Sequence, residues 1–286
     1  MINKPLVIAE IGCNHQGNIN LAKEMIQAAS NCGAEYVKFQ KRENKILLGE
    51  DYFKPHPVPH NSFGKNYGEH REKLEFNIKQ HEMLYKFCLK KNIKYSISVW
   101  DKISAEKILN SKINLDYIKI PSACNQDYEL IDFLLKKFKK KIHISLGMTT
   151  LKEEQKLVNF IKKKKKLKNV VLYSCTSDYP VKFEDICISD INRLKKKYNL
   201  PIGFSGHHLG IAIDMAAVAF GAKFIERHFT LDRTLKGTDH AASLEPNGLK
   251  KLTRDITNLT KALKIKNGLL PTEKKQRLKL KKNVIN

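Results

Sequence analysis

Long apolar runs are missing from this 286-residue chain, and so is any closely spaced cysteine pair. No stretch approaches the roughly 20 apolar residues that a membrane-spanning helix needs, and the opening MINKPLVIAEIG has no basic segment leading into an apolar one. The expectation is a soluble, cytoplasmic protein with no membrane partner. The six cysteines, Cys13, Cys32, Cys88, Cys124, Cys175 and Cys187, form no CxxC and no disulfide-like framework, which suits a reducing compartment. Acidic residues are few, 29 against 53 basic, giving a formal charge of +24. Such an excess raises the alternative of a basic nucleic-acid- or partner-binding protein. The lysines, however, fall in separate blocks at 136–141, 162–166, 195–197 and 274–282, without interleaved aromatics or a nucleic-acid-binding motif. A solvated outer face explains them better, so no nucleic-acid partner is expected, and the positive field favours an anionic substrate. No GxGxxG follows the first apolar run, which argues against dinucleotide binding.

Eight short apolar runs are present, at residues 6–12, 35–40, 94–100, 117–122, 141–147, 169–176, 201–207 and 223–230, with amphipathic helical patterns between them and a final one from about Glu245 to Leu263. Eight strand and helix pairs in a single domain predict a (β/α)8 TIM barrel rather than an open doubly wound sheet. The barrel is expected over residues 1–267, followed by a basic C-terminal tail over 268–286. One long insertion, near residues 41–76 after the second strand, holds KPHPVPHNSFGKNYGEHREKLEF and precedes a helix near 77–92. In a barrel, strand-to-helix loops sit on the C-terminal face, so this segment is expected to hang over the site.

His207 and His228 are 21 residues apart and end two consecutive strand patterns. A lone strand-end histidine is ordinarily structural. Two at matching ends of neighbouring parallel strands, about 4.8 Å apart, can share one cation. Period-two alternation puts Glu226 with His228, and Gly203 and Ser205 with His207. The other strand ends are also polar: Glu10, Asn14 and His15; Lys38 and Gln40; Ser98; Lys119, Ser122 and Asn125; Ser145; Thr176, Ser177 and Tyr179. His240 and Asp239 lie in the following loop. Lysines 38 and 119 inside a barrel need compensation, because an unpaired buried ammonium costs several kcal/mol. An anionic ligand would supply it, and pairing with Glu10 or Glu226 is the structural alternative. Lysines with hydroxyls suit phosphate and carboxylate, while two histidines with open positions suit a divalent cation acting on a carbonyl oxygen.

Taken in order, AEIGCNHQGN, GAEYVKFQ, YGEHREKLEF, IKIPSACN, SLGM, CTSDYP, PIGFSGHHLGIAI and GAKFIERHFTLDRTLKGTDHAASLEP resemble the sialic acid (N-acetylneuraminate) synthase family across residues 7–246. The resemblance implies a barrel that condenses phosphoenolpyruvate with the aldehyde of an open-chain N-acylhexosamine such as N-acetylmannosamine, giving a sialic-acid-like nonulosonic acid and phosphate. It implies Mn²⁺ as the divalent metal, with Mg²⁺ or Co²⁺ as substitutes, on His207 and His228. It implies Glu10 as the acid/base residue for the attacking water. Lys38, Ser98, Lys119, Ser122, Ser145 and Ser205 would hold phosphoenolpyruvate, although YSISVWD around Ser98 departs from the family pattern. Gln40, Tyr179 and Asp239 would line the sugar side. A homodimer is also implied. Family members typically carry a C-terminal antifreeze-like domain; this chain ends at Asn286, in a lysine-rich tail where its linker would begin, so the resemblance is to the barrel without that domain. A class I pyruvate aldolase using Lys38 or Lys119 as a Schiff base is the enzymatic alternative.

Overall fold

In the computed structural model, which describes residues 3–282, eight parallel strands close into a barrel in sequence order. Residues 283–286 of the expected basic tail lie outside the described residues. The elements run β1 (Leu6–Gly12), α1 (Ile19–Asn31), β2 (Tyr36–Lys41), α2 (Asn44–Leu48), α3 (Tyr67–Leu74), α4 (Ile78–Lys90), β3 (Lys94–Val99), α5 (Lys102–Leu109), β4 (Tyr117–Ile120), α6 (Tyr128–Lys137), β5 (Lys141–Ser145), α7 (Leu151–Lys163), β6 (Val170–Cys175), α8 (Asp190–Tyr198), β7 (Ile202–Gly206), α9 (Ala212–Ala219), β8 (Phe224–His228), α10 (Pro246–Ala262) and α11 (Pro271–Leu280). Each predicted apolar run became a strand. The segment predicted as a tail contains α11, a helix with no buried residue.

Alternation along each strand divides the interior into two regions. Outward side chains such as Val7, Ala9 and Ile11 join Ala22, Met25 and Ile26 of α1 in the main core between barrel and helices. Inward side chains near the strand starts, Ile8, Tyr36, Tyr117, Val171 and Tyr173, form a second cluster that plugs the barrel floor. His143 stacks on Tyr117 at 3.8 Å between ring centroids and hydrogen bonds to the Tyr173 hydroxyl at 2.9 Å, so its polar atom is satisfied inside that plug. Gly203 is required here, because a Cβ would lie 2.5 Å from the Tyr173 ring. With the lower barrel filled by aromatic rings, the next inward layer is held near the C-terminal mouth.

The insertion after β2 is built from α2, two short 3-10 turns and α3 rather than irregular chain. Glu75, just after α3, accepts from the Lys41 ammonium at 2.7 Å and from the Arg42 backbone N–H at 3.1 Å. Gly17, at φ +71°, lies so close to α3 that a Cβ would sit 2.0 Å from the Lys73 carbonyl oxygen. His15 stacks on Phe76 at 4.1 Å. These contacts fix α3 against the ends of β1 and β2.

Candidate active site

Strand register explains the histidine spacing. Gly203 pairs with Phe224 and Ser205 with Glu226, an offset of 21 residues that, carried one pleat further, sets His207 beside His228. Their ring centroids are 5.4 Å apart. The same logic places Glu10 opposite Lys38 on one side and His228 on the other, and Ser98 opposite Lys119. All twelve residues singled out as catalytic, substrate-binding or metal-binding line one cavity of about 330 Å³ at the C-terminal mouth: Glu10, Lys38, Gln40, Ser98, Lys119, Ser122, Ser145, Tyr179, Ser205, His207, His228 and Asp239, with Glu226 among them.

The two buried lysines are compensated internally. Lys38 Nζ lies 2.7 Å from Glu10 Oε2 and 3.4 Å from Glu226 Oε1, and Lys119 Nζ lies 2.5 Å from Glu226 Oε1. The expectation that an anionic ligand must balance them therefore gives way to the carboxylate alternative: two ammoniums and two carboxylates form a neutral quartet. Burial lowers the Lys119 pKa, with Glu226 opposing it and Lys38 adding to it. For Lys38 burial is outweighed by Glu10 and Glu226, and its pKa rises. Glu226 is held well below the ordinary carboxylate range, because Lys119 and Lys38 overcome the burial that would raise it. Lys38 also donates to Ser98 Oγ at 2.7 Å, and Gln40 Nε2 donates to Glu10 Oε1 at 2.7 Å. The Tyr173 ring supports Lys119 from below at 4.2 Å.

Across the mouth from β2 lies a hydroxyl cluster. Gly147 donates its N–H to Ser122 Oγ at 3.1 Å, and a Cβ there would meet Ser177 Oγ at 2.3 Å and Ser122 Oγ at 2.7 Å. The space beside these hydroxyls exists because residue 147 has no side chain. Together with Lys119, Ser145 and Ser205, it can receive a small tetrahedral anion.

The histidine pair is suited to a metal. His207 Nδ1 lies 2.7 Å from the Thr176 carbonyl oxygen, which only accepts, so Nδ1 carries the proton and Nε2 keeps its lone pair. Burial pushes the His207 pKa down to about 3, keeping the ring neutral. His228 Nδ1 is buried without a hydrogen-bond partner and lies 3.7 Å from Asp239 Oδ2, while Glu226 Oε2 is also unpartnered. Among the described residues no group of three or more His, Cys, Asp or Glu side chains has a geometry that holds a metal. The donor set is two imidazoles with open positions, which fits an ion that also takes oxygen ligands from substrate or water.

Ser177 also lines the cavity, whereas Asn14, His15, Asn125, Thr176 and His240 do not. Asn14 Nδ2 donates to the Phe229 carbonyl and Ser243 Oγ, each at 2.9 Å, tying the first and last strand-end loops together. His15 is packed on Phe76 and its pKa falls to about 3, mainly from burial. Asn125 bonds Thr149 and the Ser145 carbonyl, and His240 Nδ1 bonds Thr230. Conversely, Arg42, Arg71, Trp100, Met148, Cys175 and Thr238 line the cavity without having been singled out. Arg42 and Trp100 directly follow strands; Arg71 sits in α3, where only the placement of the insertion could reveal it.

A closed (β/α)8 barrel with an imidazole pair, a charged quartet and a hydroxyl cradle at its C-terminal mouth defines an enzyme-type site for a small, oxygen-rich anion. The chain belongs to the NeuB family, whose sequence profile matches residues 25–267. It is 38% identical to human N-acetylneuraminate-9-phosphate synthase over 286 residues, covering 98% of this chain and 77% of that protein. It is 37% identical to N,N'-diacetyllegionaminic acid synthase of Campylobacter jejuni, covering 92% and 78%. The crystal structure of N-acetylneuraminic acid synthetase from Leptospira borgpetersenii, in complex with citrate, superposes with a TM-score of 0.82 at 32% identity, covering 97% of this chain and 93% of that one. A truncated 3-deoxy-D-arabino-heptulosonate 7-phosphate synthase from Thermotoga maritima shares the fold, with a TM-score of 0.67 at 17% identity.

Proposed function

We propose that this chain condenses phosphoenolpyruvate with the aldehyde of an open-chain N-acylhexosamine, giving a nonulosonic acid and inorganic phosphate. The observation that carries this reading is the convergence of Glu10, Lys38, Lys119, Glu226, His207 and His228 with the serine cradle in one cavity, in a member of a family of such synthases. Phosphoenolpyruvate lies with its phosphate and carboxylate against Lys119, Lys38, Ser122, Ser145 and Ser205, with Ser98 orienting Lys38. Gln40, Tyr179 and Asp239 hold the sugar chain with its aldehyde near the imidazoles.

His207 and His228 would hold the divalent metal, Mn²⁺ by preference with Mg²⁺ or Co²⁺ as substitutes, and when bound it would polarise the aldehyde oxygen. The C3 carbon of phosphoenolpyruvate forms the new bond to the aldehyde carbon as the C=O π pair moves onto the aldehyde oxygen, which takes a proton from solvent to become a hydroxyl, and C2 is left electron-deficient. Water then adds at C2, its proton passing to Glu10, which Lys38 and Gln40 orient from either side. Phosphate leaves with the bridging oxygen as the C2–O bond breaks. Lys38, released from Glu10 as that carboxylate takes the proton, remains available to the departing phosphate.

No helix among the described residues is long and apolar enough to cross a membrane. A cytoplasmic homodimer is the working form proposed; exposed Met148, Leu151, Phe183 and Leu209, in the segments that follow β5, β6 and β7, support the pairing. The test is incubation of the full chain with Mn²⁺, phosphoenolpyruvate and a panel of N-acylhexosamines, reading phosphate release and product mass. Sugar-dependent release with a product equal in mass to sugar plus the pyruvyl acid unit is expected; release without any sugar, or none with every sugar, would overturn it.

The lowered pKa of Lys119 favours a second reading, a Schiff-base aldolase on the same barrel. Its ion pair with Glu226 works against nucleophilic use of the amine. Borohydride with pyruvate would add mass at Lys119 under that reading and leave the chain unchanged under the first.

A further inference from the structure

β8 turns Glu226 and His228 into the cavity and Arg227 the other way, into the layer between barrel and helices. Its neighbours on that face, Ile225 and Phe229, belong to the apolar core, and Arg227 is itself only 1% exposed. The guanidinium pairs with Asp214 in the first turn of α9, donates to the Gly210 carbonyl at 2.8 Å and donates to the His208 carbonyl. A buried ion pair is often no more stabilising than apolar residues of the same volume. What the planar fork adds is geometry, because it holds two carbonyls and a carboxylate at once.

Those carbonyls belong to the segment that carries His207. The last paired residues of β7 and β8 are Gly206 and Arg227, so His207 stands just beyond the ladder. Its own bonds run toward the chain after β6: Nδ1 to the Thr176 carbonyl at 2.7 Å, and its carbonyl from the Val181 N–H at 3.2 Å. His228 is held from the other side, paired with Glu10 of β1 and accepting at its carbonyl from the Leu244 N–H at 2.7 Å.

Between the chain leaving β7 and the start of α10 lies a second cavity, of about 250 Å³, lined by His208, Gly210, Arg227 and Gly248 among others. Packing is therefore incomplete just where the two histidine-bearing segments diverge. Among the described residues, Arg227 makes every side-chain hydrogen bond and ion pair that joins residues 207–214 to residues 227–251. The bridged segment is bounded by Gly206 and Gly210, whose backbones have the widest freedom. A tether there has a conformation to select.

One ion shared by two imidazoles needs both bonds at about 2.1 Å, and a productive site tolerates displacements of only about 0.5 Å. Resting on the assignment of His207 and His228 as metal ligands in the reading above, we propose that Arg227 is a positioning residue for the metal. By gripping the His208 and Gly210 carbonyls it sets the chain after β7 at a fixed spacing from β8, and with it the separation of the two imidazoles. Arg227 does not line the substrate cavity, so it acts through the histidines alone.

The experiment uses the full chain and Mn²⁺ alone, measuring binding by calorimetry without substrates, alongside thermal unfolding and metal-free binding of phosphoenolpyruvate. Arg227→Lys keeps a charge for Asp214 but has no fork to hold both carbonyls. Arg227→Met combined with Asp214→Leu removes the ion pair as a unit and leaves no unpaired buried charge. The double variant should weaken Mn²⁺ binding by about tenfold to a hundredfold, and Arg227→Lys by less, with phosphoenolpyruvate binding unchanged. Wild-type Mn²⁺ affinity in both variants would overturn the proposal, as would an equal loss of Mn²⁺ and phosphoenolpyruvate binding, which marks general disorder of the mouth. If the double variant does not fold, Arg227→Lys decides: weaker Mn²⁺ binding with intact phosphoenolpyruvate binding supports the role, and wild-type affinity overturns it. His207→Ala separates this proposal from the reading beneath it. Unchanged Mn²⁺ affinity in that variant removes the metal assignment and the proposal together, whereas loss there with none in the Arg227 variants overturns the positioning role alone.

Discussion

Lys119 Nζ and Lys38 Nζ share one oxygen, Glu226 Oε1, at 2.5 and 3.4 Å. One carboxylate therefore restrains both ammoniums of the site before substrate arrives. Breaking a buried pair by removing one partner leaves an uncompensated charge, at a cost of about 3–5 kcal/mol. Glu226→Gln should lower unfolding free energy by that order in urea titrations, and adding Lys119→Met should make the double variant less destabilised than the sum of the singles. Additivity within about 0.5 kcal/mol would mean that the two side chains are not energetically coupled.

Buried neutral histidines predict acid sensitivity above the carboxylate range. His81, bonded through Nδ1 to the Tyr95 hydroxyl at 2.7 Å, has its pKa lowered from 6.5 to about 3 by burial, with Lys41 and His15 adding to the effect; that of His15 falls to about 3. Between these values the unfolded chain binds protons that the folded chain refuses, so stability rises with pH there and falls as pH drops below 6.5. For a single such group the loss at pH 5 is about 2 kcal/mol. Glu226 acts in the same direction lower down: its depressed pKa contributes stability present above its unfolded value and lost as pH falls below about 4.5. Urea midpoints measured from pH 7 to 5 should fall steeply, and His81→Gln, which has no proton to gain, should flatten the slope. A flat wild-type profile over that range would contradict the burial of these rings as neutral groups.

His207→Ala and His228→Ala should each reduce turnover by at least about a hundredfold with little change in thermal unfolding, because both side chains point into the cavity rather than the core. Metal titration followed by calorimetry separates the causes: weakened Mn²⁺ binding in each variant is expected. Wild-type affinity for Mn²⁺ in both would remove the imidazole pair from the metal assignment.

Gly147→Ala tests the hydroxyl cradle. The added methyl would crowd Ser177 and Ser122, so the KM for phosphoenolpyruvate should rise by about tenfold or more, equivalent to about 1.4 kcal/mol, with a smaller effect on the sugar. An unchanged KM would locate the phosphate of phosphoenolpyruvate elsewhere in the mouth.

How much was legible in the sequence depended on periodicity. The eight strands could be read because inward and outward residues alternate regularly, and the 21-residue histidine spacing is the β7–β8 register itself. The polar strand ends followed from the same rule. Pairing of the buried lysines with Glu10 or Glu226 was legible only as an alternative to an anionic ligand, because Lys119 and Glu226 are 107 positions apart and nothing local decides that they meet. Arg71 was hidden for a related reason, since a charged residue in an insertion acquires a role only when Glu75 and Gly17 bring α3 to the barrel mouth. The α11 helix was missed because its lysine-rich sequence offers no buried face.

The most direct measurement of the central claim follows the bridging oxygen of phosphoenolpyruvate. With ¹⁸O between C2 and phosphorus, full chain, Mn²⁺ and a productive N-acylhexosamine acceptor, the account predicts that the label leaves in inorganic phosphate as water directed by Glu10 supplies the new C2 oxygen. Label retained at C2 of the sugar acid would require P–O cleavage and would contradict the assignment of Glu10 and the cavity to this reaction.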